Sequence, residues 1–457
     1  EPSQIGEGVE LVNGIVGYGN RIFYEAKAIR FVTGRNVQLK YGARLLNSVI
    51  GDNSTVSCCE LLNSLLFPFH EQHHNNSFLI AATVMGQANI AAGATIGSNH
   101  NSRGPDGEIV AGRGFWPGLC TSFKHNCRFA SFVLAARGDY PHELDIRYPF
   151  SMIHLDRQDD AVHVMPAYWF VHNMYAMARN TWKFARRDTR AVKEQHIELD
   201  YLAPDTVQEM LSAMSRLALL AARAAGSDAG LADTELAERG RAILSGDQAE
   251  ELTLHDPDAM KRSGGRIEKP ARGWKQYRDF CVYFGVRTLL DFFGVALGGS
   301  GEAAVPELRD LVLEWGGAPQ STIFKWGDKV PTPNAAQVNA TMAHSLDFDD
   351  VHEDAIMHPG VVAIPTALAM AEYVGGLSGR EFITAVALGT DFICRCGLAT
   401  RPGESIHPYG WHLTTLYGYM TTALVAARVM GLDEKAITGE GKPLLMYAEQ
   451  PKVSGSN

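Results

Sequence analysis

Aliphatic residues return every six positions in the first third of the chain. Val84, Ile90 and Ile96 head the hexads VMGQAN, IAAGAT and IGSNHN, and Ile50, Val56 and Leu62 head IGDNST, VSCCEL and LNSLLF. Val16 and Ile22 begin a weaker run of the same kind. Four positions after the first set stand Ala88, Ala94 and His100. Six residues make one short strand and one turn, so three hexads close a triangular coil. The aliphatic residue points inward and the small residue fits beneath the corner. Stacked coils then bury a continuous core that no single coil buries alone. Ordinary half-buried strands alternate with period two and do not hold a six-residue phase. The pattern predicts a left-handed parallel β-helix over about residues 14–135, in a region taken as 1–155. Ile50, Val56, Leu62, Val84, Ile90 and Ile96 are its expected core.

Beyond that region the phase is lost. DTVQEMLSAMSRLALLAARAAG spaces its apolar residues by three and four, which predicts a helix with Asp205 as N-cap and Gly226 as stop. Residues 156–290 are expected to form a helical tail, with a polar and mobile stretch from Asp228 to Gly265. From Asp291 onward, helical spacing alternates with short Gly turns, beginning with DFFGVALGGSGEAAVPELRDLVLEWGG. That predicts an all-α packing over 291–438, with 439–457 unassigned. The expected fold is multi-domain: a β-helix followed by α-helical segments.

Candidate chemistry collects in three places. LDFDDVHEDAIMHPG sets Asp347, Asp349, Asp350, Glu353 and Asp354 close to His352 and His358. Carboxylates beside histidines hold a metal or share acid and base roles with shifted pKa values; the plain alternative is an acidic helix cap and loop. His70, His73 and His74 lie in FPFHEQHHNNS, where the repeats break. His100 lies in GSNHNSR, and His125 in SFKHNCR beside Lys124 and Arg128. These histidines suit either a general base, because imidazole titrates near neutral pH, or a zinc centre. They are otherwise surface and corner residues. Trp169, Trp182, Lys183, Arg186 and Arg187 offer contacts to an anionic ligand, or else a solvated helix face.

Composition narrows the partners. The net charge is −10, with 20% charged residues and no long basic run, so nucleic acid is excluded as a main partner because it demands phosphate neutralisation. No uninterrupted apolar stretch reaches the ~20 residues that cross a bilayer, and no membrane partner is expected. The chain opens at Glu1 without Met or a signal-like run, as expected of a trimmed or incomplete N-terminus. The seven cysteines (58, 59, 120, 127, 281, 394 and 396) are odd in number and lack zinc-site spacing. They are expected as reduced thiols in a cytoplasmic protein. No cofactor is called for. A small-molecule substrate and a homo-oligomer, with the β-helix as trimer contact, are the expected partners.

Two resemblances sharpen this picture. ARLLNSVIGDNSTV, TIGSNHNSR, GRGFWPGLCTSFKHNCRFASF, MPAYWFVHNMYAMARNTWKFARRD and KPARGWKQYRDFCVYFGVRTLL resemble a large bacterial family of unknown function, over roughly residues 1–290. Its members carry a left-handed β-helix like that of sugar-nucleotide acyltransferases and nucleotidyltransferases. The family itself supplies no established reaction; His100 and His125 are the candidate catalytic residues for an acyl or nucleotidyl transferase acting on a sugar nucleotide or for a metal-dependent hydratase, and the alternative is a non-catalytic trimeric scaffold. Residues 291–438 are similar to the MmgE/PrpD superfamily, which includes 2-methylcitrate dehydratase and cis-aconitate decarboxylase. The motifs are His344–Asp350 (HSLDFDD), His358–Gly360 and Gly410–His412. The resemblance implies a lyase acting on a polycarboxylate, with Asp347, His358 and His412 at its active site. Val351 stands where it places a threonine, and the interval from Asp347 to His358 is slightly long. Only about 150 residues carry the match, and GEGKPLLMYAEQPKVSGSN does not continue it. The expectation is an incomplete lyase piece in a composite chain.

Overall fold

The six-residue phase becomes a stack of parallel strands in the computed structural model. It describes residues 2–98, 107–156, 158, 160–193, 195, 197–226, 231–246, 249–352, 355–400 and 412–432. Two compact units divide the chain at 284/285.

In the first unit, eight strands lie parallel along one face of a β-solenoid. They are Glu10–Val16, Lys27–Thr33, Arg44–Ile50, Glu60–Leu62, Phe78–Ile80, Thr95–Ser98, Ser122–Lys124 and Asp139–Tyr140. One inward row runs Ala28, Leu45, Leu61, Leu79, Ile96, Phe123 and Tyr140, all buried and each in register with the next. A second face aligns Ile50, Leu66, Val84, Ala111, Phe129 and Ile146, and a third aligns Ile22, Leu39 and Val56.

Coil length departs from the strict hexad pattern. Lys27 pairs with Arg44 after 17 residues, Arg44 with Glu60 after 16, and Glu60 with Phe78 after 18. The 16-residue coil moves the inward position, so Leu61 is buried and the expected core residue Leu62 is only half-buried. A one-residue offset exchanges the two faces of a strand, which is why an assumed 18-residue coil misplaced this side chain. The other five expected core residues are fully buried. Corners need backbone turned to positive φ, and Asn tolerates it best after Gly. Asn13, Asn36, Asn47, Asn53 and Asn63 take it up. Neighbouring coils join there: Arg30 donates to Asn47 at 2.6 Å and Asn47 to Asn63 at 2.8 Å.

The solenoid ends in a hairpin. Met152–Asp156 continues the parallel stack and turns back antiparallel as Ala161–Met165. Gly265–Ile267 then adds beside Ala161–Met165, and Leu254–Asp256 adds beside Gly265–Ile267. The region expected as purely helical thus contributes three strands, two of them only three residues long. Its helices are α1 (Tyr168–His172), α2 (Met174–Arg187), α3 (Pro204–Ala224) and α4 (Asp233–Ser245). α4 and the strand Leu254–Asp256 lie within the stretch 228–265 expected to be polar and mobile. Asp205 lies inside the first turn of α3 and bonds Arg113 through both oxygens, at 2.7 and 2.9 Å. The Thr206 hydroxyl instead accepts from the Ala203 N–H at 3.1 Å. Gly226 follows α3 with φ +74, as a helix stop requires. A polar cluster fixes α3 to the late strands: Arg216 binds Asp256, which also accepts from the Tyr148 hydroxyl at 2.6 Å.

α5 (Pro270–Gly299) leads into the second unit, which contains α6 (Val305–Trp315), α7 (Thr332–His344), α8 (Gly360–Tyr373), α9 (Gly379–Ala399) and α10 (Leu413–Val429). Its core joins Phe292, Ala296, Val312, Ile323, Val338, Met342, Val361 and Ile364. α8 is apolar on nearly every side and packs against α7, α9 and α10. A helix hydrophobic all round belongs at the centre of a pack. α5 and α9, of 30 and 21 residues, are long and apolar enough to cross a membrane by length and composition. Charged residues interrupt both, Arg287 and Asp291 in α5 and Asp391 and Arg395 in α9.

Candidate functional site

Three helix ends bring the histidines of the second unit together. His344 is the last residue of α7, His358 stands two residues before α8, and His412 is the N-cap of α10. Ring centroids are 4.6 Å apart for His344 and His358, 5.7 Å for His344 and His412, and 6.3 Å for His358 and His412. The turn after α7 is tight, and Asp347 takes φ +56 within it. That conformation turns the chain back so that Asp349 reaches both neighbouring rings. Asp349 Oδ1 and Oδ2 lie 3.2 and 3.1 Å from His344 Nδ1. Oδ2 is also 2.9 Å from His358 Nδ1, out of line for a hydrogen bond.

Asp347 behaves differently. Its side chain is 79% exposed and stands 3.7 Å from His358 Nε2, whereas the Asp349 side chain is 4% exposed. Asp350 accepts from the Gly360 N–H at 3.0 Å and so caps the N-terminus of α8, where a carboxylate also opposes the helix dipole. A Cβ at Gly360 would collide with that carboxylate. The His358 backbone N–H donates to the Thr414 hydroxyl at 3.0 Å, tying the α8 entry to the start of α10.

The electrostatics push the imidazoles apart. The hydrogen bond to Asp349 raises the His344 pKa above its ordinary value, against the opposing effect of burial, and the charges of Asp349 and Asp347 add to it. Burial lowers His412, and the positive charges of His344 and His358 lower it further. Burial alone would raise Asp349, yet the hydrogen bond and charge of His344 outweigh it and leave the carboxyl below its ordinary value. His344 therefore holds a proton more readily than His412. The same side chains have the reach to share a cation, either His344, His358 and His412 or His344, Asp347, Asp349 and His358, with ligand atoms within 4.8 Å of one another.

Of the site residues expected from the sequence, Asp347 and His358 meet directly and the His412 ring lies beside that of His358. The structure adds His344, known from the sequence only as the start of the motif, and singles out Asp349 from the five carboxylates. Glu353, Asp354, Gly410 and His100 lie outside the described residues. His125 is buried in the solenoid, 3% exposed, rather than displayed on a loop. His70 is fully buried, and His73 pairs with Glu71 at 3.0 Å. The basic cluster is partly committed: Arg187 binds Glu71 at 2.8 Å, and Arg186 lies over the Trp182 ring at 4.6 Å. Both arginines line a polar cleft of about 980 Å³ on the solenoid, with Arg21, Lys40 and Thr55.

Comparison with known proteins follows the same division. Residues 281–439 match the MmgE/PrpD N-terminal domain, and residues 1–221 match the domain of unknown function DUF4954. An uncharacterized protein of Treponema pallidum is 53% identical over 296 residues, covering 64% of this chain and 40% of that protein. Cis-aconitate decarboxylase of Mus musculus is 26% identical over 178 residues, or 36% of each chain. Cis-aconitate decarboxylase of Aspergillus terreus is 27% identical over 114 residues, covering 24% of this chain and 23% of the enzyme. The chain therefore spans well under half the length of these relatives. The second unit carries an MmgE/PrpD-like domain.

Proposed function

We propose that the second unit catalyses loss of water or carbon dioxide from a polycarboxylate of the 2-methylcitrate or cis-aconitate type. The observation that carries this reading is the clustering of three imidazoles, two of them in contact with the buried carboxylate of Asp349. Neutral His412 serves as base and protonated His344 as acid, since catalytic pairs are recognised by environments that push their pKa values apart. Asp349 holds Nδ1 of His344 and leaves Nε2 as the proton donor.

In a dehydration, His412 takes the proton α to a carboxylate, and the C–H electron pair forms the new C=C bond. The C–O bond breaks and the hydroxide leaves as water with the proton from His344. In a decarboxylation the C–C bond to the departing carboxylate breaks. Its electron pair passes into the conjugated acid, and His344 protonates the carbon. His358, within 3.7 Å of Asp347 and 2.9 Å of Asp349, positions the pair. Similarity to cis-aconitate decarboxylases supports the substrate class.

Purified chain incubated with 2-methylcitrate or cis-aconitate, followed by proton NMR and by calorimetric binding, tests the reading. Turnover that His412→Ala and His344→Ala each reduce at least ~100-fold is expected, in line with general acid and base contributions. Neither turnover nor binding at millimolar substrate, or turnover indifferent to both substitutions, overturns it.

A further inference from the structure

A second group of metal-type donors lies in the first unit, on the sheet that closes the solenoid. His154 on strand Met152–Asp156 stands directly opposite His163 on strand Ala161–Met165, in antiparallel register. Their ring centroids are 4.8 Å apart. Glu268 follows strand Gly265–Ile267, and its backbone N–H continues the ladder by donating to Val164 O at 2.8 Å. Its Oε1 lies 2.8 Å from His163 Nδ1. One donor atom from each of the three residues falls within 4.8 Å of the other two.

We propose that His154, His163 and Glu268 bind a zinc-type divalent cation that pins these three strands together. The donor set decides the class of ion. Two imidazole nitrogens and one carboxylate oxygen suit zinc, cobalt, nickel or copper(II), whereas magnesium and calcium take oxygen ligands. The support decides the precision: all three donors stand on or beside paired strands rather than on loops, which limits the reorganisation that binding requires. Burial decides the accessibility. The His163 side chain is 7% exposed and that of Glu268 29%, so the ion has a sheltered inner ligand and an open outer side. Arg266 stands next to His163 in the same cross-strand row, with His255 beyond it. Both are exposed, so solvent screens their repulsion of a cation, and the Glu268 carboxylate offsets it at close range.

An alternative is that Glu268 and His163 form only an ion pair, which makes no demand on His154. The ion also has a structural consequence that the pair lacks. It joins His154 and His163, at the end of the solenoid, to a strand about a hundred residues later in the chain.

The test uses the full chain with His344→Ala and His412→Ala, which removes the other histidine group from the count. After treatment with chelator and desalting, this protein is titrated with zinc against a chromophoric indicator. One equivalent is expected to bind with micromolar affinity or better and to raise the thermal midpoint of the first unit. Adding His154→Ala or Glu268→Gln is expected to weaken binding by about 100-fold, as loss of a ligand or its orienting carboxylate does at such sites. Should His154→Ala fold poorly by circular dichroism, His154→Gln serves instead, with the same loss expected. Failure of the parent to bind zinc, or retention of full affinity after substitution of His154, overturns the proposal.

Discussion

Acid should loosen the solenoid through one buried imidazole. His70 is fully buried, with Nε2 3.1 Å from Gln72 Oε1 and no hydrogen-bond partner for Nδ1 among the described residues. Burial lowers its pKa from 6.5 to about 4, although Gln72 and Glu71 favour the charged form. A histidine lowered on folding contributes stability that is present above the unfolded value and lost as pH falls toward the folded one. The gap between 6.5 and about 4 corresponds to about 3 kcal/mol when each tenfold step is worth 1.36 kcal/mol. Most of that loss falls between pH 6.5 and 4. Urea unfolding followed by the β-sheet circular dichroism signal, at pH 7 and pH 4.5 for the parent and for His70→Gln, isolates it. Gln keeps an amide donor for Gln72 but has no titrating nitrogen. The parent is expected to lose roughly 2.5 kcal/mol more than the variant over that interval. Parallel pH dependences would refute the assignment, because other titrating groups act on both proteins alike.

Three further outcomes follow from the site and the core. Turnover by the second unit should be bell-shaped in pH. It falls on the acid side as His412 protonates, below the ordinary histidine value, and on the alkaline side as His344 deprotonates, above it. Asp349→Asn should move the alkaline limb to lower pH, because the carboxylate that raises His344 is gone, while exposed Asp347→Asn should move it less; imidazole NMR titrations read both. In the solenoid, Leu61→Ala should cost about 2–5 kcal/mol, as buried leucines do, and Leu62→Ala well under half of that, measured by the same urea unfolding.

The solenoid was legible because its pattern repeats, and repetition survives small irregularities. Ile50, Val56, Val84, Ile90 and Ile96 followed from spacing alone. Leu62 did not, because a coil shortened to 16 residues leaves no local mark in the sequence. The strands Leu254–Asp256 and Gly265–Ile267 escaped notice because three residues carry too little periodicity, and the pairing that anchors them, Gly265–Ile267 with Ala161–Met165, spans about a hundred residues of chain. In the second unit, charge density identified the turn after α7 but could not rank five carboxylates. Asp347 and Asp349 are two residues apart and chemically identical; only the backbone turn at Asp347 sends one to solvent and the other between two rings. His344 reads from sequence as an ordinary helix terminus. His125 illustrates the converse, since a polar neighbourhood in the sequence did not predict a buried side chain.

The inward row of the first unit changes along its length, from Ala28 through Leu45, Leu61, Leu79 and Ile96 to Phe123 and Tyr140. A stack of identical coils has a degenerate ground state, since a nascent strand gains as much by pairing one coil too early as by pairing correctly. Side-chain volume removes that degeneracy at the two ends of the row, where Ala28 and the pair Phe123 and Tyr140 differ from the four aliphatic residues of equal size between them. A strand displaced by one coil at the aromatic end would set Phe123 against Leu79, or Tyr140 against Ile96, and overfill a layer sized for an aliphatic group, at a cost of ~1–3 kcal/mol per layer. Volume therefore acts as an end stop. It fixes where the stack begins and finishes, and the coils between inherit their places from the ends.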